Sequence, residues 1–142
     1  MKLAYVDSCI WIVLMEGSPK HQQIVDQKLH DLAGEGWIFC ISEAVILEIL
    51  AKPLKQDKDN LIQLYRETFN KVRILKNYPH VFNHALSIAQ TENLKGMDAI
   101  HVAFADHYNC DGFVSSDSHF MNLKIVQPLL INLGSGKRDL SQ

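Results

Sequence analysis

Cysteine is scarce: Cys9, Cys40 and Cys110 are the whole supply, and they form no C-x-x-C pair. Three thiols cannot all pair within one chain, and the simplest reading is reduced thiols in a cytoplasmic protein. Long apolar runs are missing too, and the longest fall far short of the ~20 residues of a membrane-spanning helix. The start, Met1-Lys2-Leu3-Ala4-Tyr5-Val6-Asp7, lacks the apolar stretch of a secretion signal. Neither G-x-G-x-x-G nor G-x-x-x-x-G-K-[ST] occurs, which argues against nucleotide-cofactor folds, and H-E-x-x-H is absent. Positive charge is not in excess: 14 Lys and Arg stand against 16 Asp and Glu, a net charge of −2. A dedicated nucleic-acid binder is often strongly basic, but a cluster of acids that holds metal lowers the balance by itself. Repeats, low-complexity tracts and interdomain linkers are also lacking.

What remains is an ordinary globular composition, 142 residues with 47% hydrophobic and 21% charged. That length buries a core without staples and predicts one domain over residues 1–133 with a tail over 134–142. Leu3 to Val6 is a short apolar run suited to a strand buried on both faces. Ser8 is placed to cap a helix from Cys9 to about Met15. Lys20 to about Leu32 has helical periodicity, and Trp37 to Ile41 is strand-like. Ser42 caps a helix expected to end at Lys52, before Pro53. A helix begun by Asp57-Lys58-Asp59-Asn60, a strand over Val72–Leu75, a helix from about Pro79 and an alanine-rich helix from Met97 to Tyr108 follow. Phe113 to Ser116 and Lys124 to Val126 are the last strands expected. Strands alternating with helices imply an α/β protein, a parallel sheet covered on both faces. In such sheets sites form beyond the carboxyl ends of strands, at a switch in strand order.

Against this apolar background four acids stand out. Asp7 ends the first run, Glu48 interrupts Ala44 to Leu50, Asp98 opens Ala99 to Ala105, and Asp117 follows Phe113 to Ser116. An unpaired buried charge is very costly, so four such acids suggest carboxylates gathered around a hard cation. Oxygen donors suit Mg2+ or Mn2+ rather than zinc or copper. Two such ions can clamp the attacking and leaving oxygens of a phosphodiester displacement. Without metal the acids would raise one another's pKa values.

Asp7-Ser8 after a first apolar strand, Glu48 in a helix begun by Ser42, Met97-Asp98-Ala99 opening an alanine-rich helix, and Ser115-Ser116-Asp117-Ser118-His119-Phe120 resemble a PIN domain. The resemblance runs from Asp7 to Val126. It implies a three-layer α/β/α sandwich around a parallel sheet, and a Mg2+- or Mn2+-dependent endoribonuclease of the VapC type, the toxin of a type II toxin–antitoxin pair. It implies Asp7, Glu48, Asp98 and Asp117 as metal-coordinating acids, with Ser115 where the family carries a hydroxyl two residues before the last acid and Ser8 where a hydroxyl follows the first. It also implies an RNA substrate, a small antitoxin partner and a homodimer, with no membrane. Two positions differ from the common pattern: Cys9 replaces a small polar residue and Ser116 a basic one.

Plainer readings stand beside these. Asp7 and Asp117 suit helix caps, Glu48 an ion pair with Lys52 at i+4, and Asp98 the first turn of a helix. His80 and His84 have i,i+4 spacing without a third ligand, which favours a surface pair. His101, one turn from Asp98, faces either the site or the core, and core packing is the better expectation. His119 touches phosphate or caps the short helix, and Asp106 is read as solvated or as a helix-end residue. The alternative functions are a non-catalytic PIN-like scaffold for RNA or protein and a free-standing PIN nuclease without antitoxin. A receiver domain needs an Asp where Lys76-Asn77 stand, and a haloacid-dehalogenase-type phosphatase needs one at Cys9.

Overall fold

The computed structural model describes residues 1–134; the tail expected over 134–142 lies outside them apart from Gly134. Five strands form one sheet: β1 (Lys2–Val6), β2 (Trp37–Ser42), β3 (Arg73–Leu75), β4 (Gly112–Ser115) and β5 (Gln127–Leu130). Their order is β3-β2-β1-β4-β5 and every pairing is parallel. The helices are α1 (Ser8–Glu16), α2 (Pro19–Gly34), α3 (Glu43–Lys55), α4 (Asp59–Phe69), α5 (Val81–Glu92) and α6 (Gly96–His107), and a 3-10 turn covers Ser118–Phe120.

The chain builds β1, β2 and β3 outward in one direction, then crosses back to lay β4 on the far side of β1. Right-handed crossovers therefore put α1 to α4 on one face and α5 and α6 on the other. The contacts agree: α1 packs on α2, α3 on α4, and α5 on α6. This is the expected α/β/α sandwich. Ala4, Tyr5 and Val6 are fully buried in β1, as are Phe113 and Val114 in β4, which is why these strands read as continuous apolar runs.

Three local expectations change. Asp7, not Ser8, caps α1: its Oδ1 accepts from Ser8 N at 2.8 Å, so Ser8 opens the helix and its hydroxyl is left for another partner. The helix begun by Ser42 does not stop at Pro53. The proline ring is buried, and the Gln56 and Lys58 amides take the Lys52 and Pro53 carbonyls, each at 3.0 Å. The last strand is Gln127–Leu130 rather than Lys124–Val126. It is an edge strand, where a proline such as Pro128 is tolerated because one side has no ladder to donate to.

Candidate metal centre

The order of the sheet reverses between β1 and β4, so their carboxyl ends border the crevice where open α/β sheets bind ligands. The four acids come from elements bordering this point. Asp7 directly follows β1, Asp117 lies two residues past β4, Asp98 stands in the first turn of α6, and Glu48 is midway along α3.

Asp7 is buried and held on both oxygens. Oδ1 accepts from Ser8 N, while Oδ2 accepts from Ser115 Oγ at 2.9 Å and from the Cys9 thiol at 3.4 Å. Ser115 Oγ also accepts from Asp117 N at 3.0 Å. One buried hydroxyl thus ties the first acid to the turn that carries the last. Cys9 serves here as a weak donor, and burial first, then the Asp7 charge, pushes its pKa up to about 11, so the thiol stays neutral and inert.

Asp117 caps the 3-10 turn, its Oδ1 accepting from His119 N at 2.9 Å. The His119 Nδ1 lies 3.3 Å from Asp117 Oδ1 and 3.6 Å from Asp98 Oδ2. One ligand atom each from Asp98, Asp117 and His119 falls within 4.8 Å of the others. Asp98 has its pKa raised, first by burial and then by the charges of Asp117 and Asp7, against a smaller lowering from His119 and His101. A carboxyl that feels two other carboxylates in this way lies in a pocket of concentrated negative charge. Hard oxygen donors in that arrangement fit a divalent cation such as Mg2+ or Mn2+.

Glu48 joins from the other helical layer. Ser8 Oγ donates to its Oε1 at 2.5 Å, and His101 Nε2 lies 2.5 Å from the same oxygen. Its pKa is lowered, chiefly by the His101 hydrogen bond, against a smaller rise from burial. Lys52 is not its ion-pair partner among the described residues; His101 is.

The structure therefore brings Asp98, Asp117 and His119 into one tight group, with Asp7 linked through Ser115 and Glu48 linked through Ser8. His101 is both a core residue, 1% exposed, and a partner of a site acid. The i+3 spacing from Asp98 was its only sequence signal. His80 and His84 do not act as a pair: His80 is the cap of α5, and His84 Nε2 contacts Asp106 Oδ2 at 2.8 Å. Asp106 is thus paired rather than simply solvated.

The family model for the PIN domain matches residues 4–125. The chain belongs to the PIN domain family. No curated protein matches the sequence. Among solved structures, the PIN chain is similar to VapBC2 from Rickettsia felis bound to a promoter DNA fragment, at 13% identity and a TM-score of 0.74, covering 92% of this chain and 99% of that one. It is similar to a toxin–antitoxin complex from Klebsiella pneumoniae at 21% identity and a TM-score of 0.65, covering 87% and 94%. It is also similar to VapC20 of Mycobacterium tuberculosis, a toxin that cleaves the sarcin-ricin loop, at 12% identity and a TM-score of 0.65, covering 83% and 92%. At these identities the likeness is one of fold, and it is the fold of VapC toxins.

Proposed function

We propose that this PIN protein is a Mg2+- or Mn2+-dependent endoribonuclease and the toxin of a type II toxin–antitoxin pair. The observation that carries the reading is the meeting of Asp98, Asp117 and His119 at the switch point, with Asp7 and Glu48 tied alongside. A divalent ion there supplies charge neutralisation and lowers the pKa of water, the chemistry that phosphodiester hydrolysis needs. Asp7, Asp98, Asp117 and Glu48 are the ligands in this reading. Ser115 orients Asp7 and the Asp117 turn at once, and Ser8 orients Asp7 and Glu48.

The surroundings support an RNA substrate. Lys52 and Lys58 line the same cleft as Glu48, and lysine contacts with phosphate supply most sequence-independent affinity for nucleic acid. A protein partner is supported by an apolar groove where α3 meets α5 and α6, lined by the exposed Leu47, Phe82 and Met97. A contiguous apolar face of this kind marks a protein interface, suited to an antitoxin or to a second copy in a homodimer. The three free thiols suit the cytoplasm, and among the described residues no helix is long and apolar enough to cross a membrane.

The test is cleavage of RNA by the purified protein in Mn2+ or Mg2+, with 5′-phosphate and 3′-hydroxyl products. Activity that survives Asp7→Asn rejects the site, and absence of Mn2+ binding in calorimetry turns the reading to a non-catalytic scaffold. The toxin role predicts growth arrest on expression and rescue by the product of an adjacent small gene; arrest without rescue leaves a free-standing nuclease.

A further inference from the structure

His101 is a buried titratable side chain to which the proposed function gives no task. Filling such a site with an aliphatic residue avoids the cost of desolvating an imidazole, so its presence needs a reason. Both ring nitrogens are engaged. Nδ1 lies 2.7 Å from Tyr5 Oη, and Nε2 lies 2.5 Å from Glu48 Oε1. Tyr5 Oη is also 2.7 Å from Ser42 Oγ, which itself accepts from Ala44 N at 3.2 Å. Tyr5, Ser42 and His101 are all buried.

The Glu48 carboxylate only accepts, so Nε2 carries a hydrogen. Ser42 Oγ accepts from the Ala44 amide and shares a hydrogen with Tyr5 Oη, which shares one in turn with Nδ1. The chain Ser42–Tyr5–His101–Glu48 thus engages both ring nitrogens and fixes the ring plane. At its end Glu48 Oε1 receives two donors, His101 Nε2–H and Ser8 O–H. Among the described residues no hydrogen bond reaches Oε2.

We propose that His101 is a positioning residue for the acid site. Anchored by Tyr5 and Ser42, it occupies Glu48 Oε1 together with Ser8 and leaves Oε2 as the single oxygen that this helix offers a divalent ion. The inference rests on the metal reading above, and it adds a device: the acid from α3 is locked to α6 across the end of the sheet by a buried imidazole. Outer partners of this type are worth about 10–100-fold in metal affinity.

The experiment is calorimetric titration of the full chain with Mn2+, alongside thermal melts without metal. His101→Leu removes the donor and is expected to weaken Mn2+ binding about 10–100-fold. His101→Gln keeps an N–H near the Nε2 position and is expected to restore most of that affinity. Tyr5→Phe keeps the ring and loses the anchor, and is expected to weaken binding several-fold. A purely structural His101 would lower the melting temperature in all three and leave the affinity of the folded protein unchanged. A His101→Leu protein that melts cooperatively and binds Mn2+ within twofold of wild type overturns the proposal. Should that variant fail to fold, wild-type affinity in Tyr5→Phe overturns it equally. Wild-type protein that binds no Mn2+ rejects the metal reading and this proposal together; wild-type binding with unchanged variants rejects this proposal alone.

Discussion

Among the described residues the chain tyrosine–histidine–carboxylate occurs twice. In one, Tyr5 holds His101, which holds Glu48; in the other, Tyr78 Oη lies 2.7 Å from His84 Nδ1 and His84 Nε2 lies 2.8 Å from Asp106 Oδ2. The parts are the same and the settings differ. His101 is 1% exposed and its acid sits at the sheet's switch point, whereas the His84 and Asp106 side chains are 28% and 34% exposed and join α5 to α6 within one helical layer. Tyr78 also stacks on His107, with centroids 3.7 Å apart. The outer chain bolts two neighbouring helices together in reach of water. The inner one spans two layers and ends on Glu48, which Ser8 links to Asp7. Local chemistry alone does not separate a structural relay from a site relay; the position of the terminal acid in the sheet does.

The sharpest way to break this comparison is to neutralise the two terminal acids. Glu48→Gln is expected to cut RNA cleavage by at least about 10–100-fold, the scale of disturbing a ligand's surroundings. Asp106→Asn is expected to leave cleavage within about twofold while costing roughly 1 kcal/mol of stability. Comparable losses of activity in both, measured on one RNA substrate, would erase the distinction.

Metal addition should separate the regions next. At Mn2+ one hundred times its Kd, wild-type protein is expected to gain about 2.7 kcal/mol, and so is Asp106→Asn, whereas Asp7→Asn should gain little. Thermal melts with and without chelator measure this. The tyrosines give a smaller contrast. Tyr5→Phe strands buried partners and is expected to cost about 1–3 kcal/mol. Tyr78→Phe leaves His84 in reach of water and is expected to cost about 0.5–1.5 kcal/mol. Urea unfolding of the two variants should rank them in that order.

The smallest effect concerns pH, and it has opposite signs for two acids of the same site. Glu48 has a lowered folded-state pKa, chiefly from His101; its contribution to stability is complete above the ordinary glutamate value and is lost as pH falls through the lowered one. Asp98 has a raised pKa, chiefly from burial and then from Asp117 and Asp7. Its ionisation weakens the fold, fully so above the raised value and not at all below the ordinary aspartate value. Metal-free Asp98→Asn is therefore expected to melt higher than wild type at pH 7, by an amount on the order of a few degrees, with the gain vanishing in acid. A lower melting temperature at pH 7 would contradict the crowding of charge around Asp98.

Most of the architecture could be read from the chain because the central strands are buried on both faces. Ala4 to Val6, Cys40 to Ile41 and Phe113 to Val114 are fully exposed to nothing but other side chains, and burial on both faces writes itself as an apolar run. β5 was misplaced because an edge strand has no such signature: Gln127-Pro128-Leu129-Leu130 is only partly buried, and the more apolar Ile125-Val126 precedes it. Pro53 misled because its cost depends on what surrounds the ring, which the sequence does not state. The acids could be singled out because each borders or interrupts an apolar element. The partners that orient them could not, since Ser8 with Glu48 and His101 with Glu48 are 40 and 53 positions apart. Such pairings are created by helix packing, and no local pattern encodes them.

Ser115 bonds a residue 108 positions earlier in the chain. β1 waits for β4 to arrive at its side, so Asp7 has neither its hydroxyl partner nor Asp117 until the final third of the polypeptide has been made and docked. A ribosome partway through this message carries three scattered acids and no pocket. No cleavage by the proposed nuclease is expected from a nascent chain, because the site is complete only once β4 has docked beside β1.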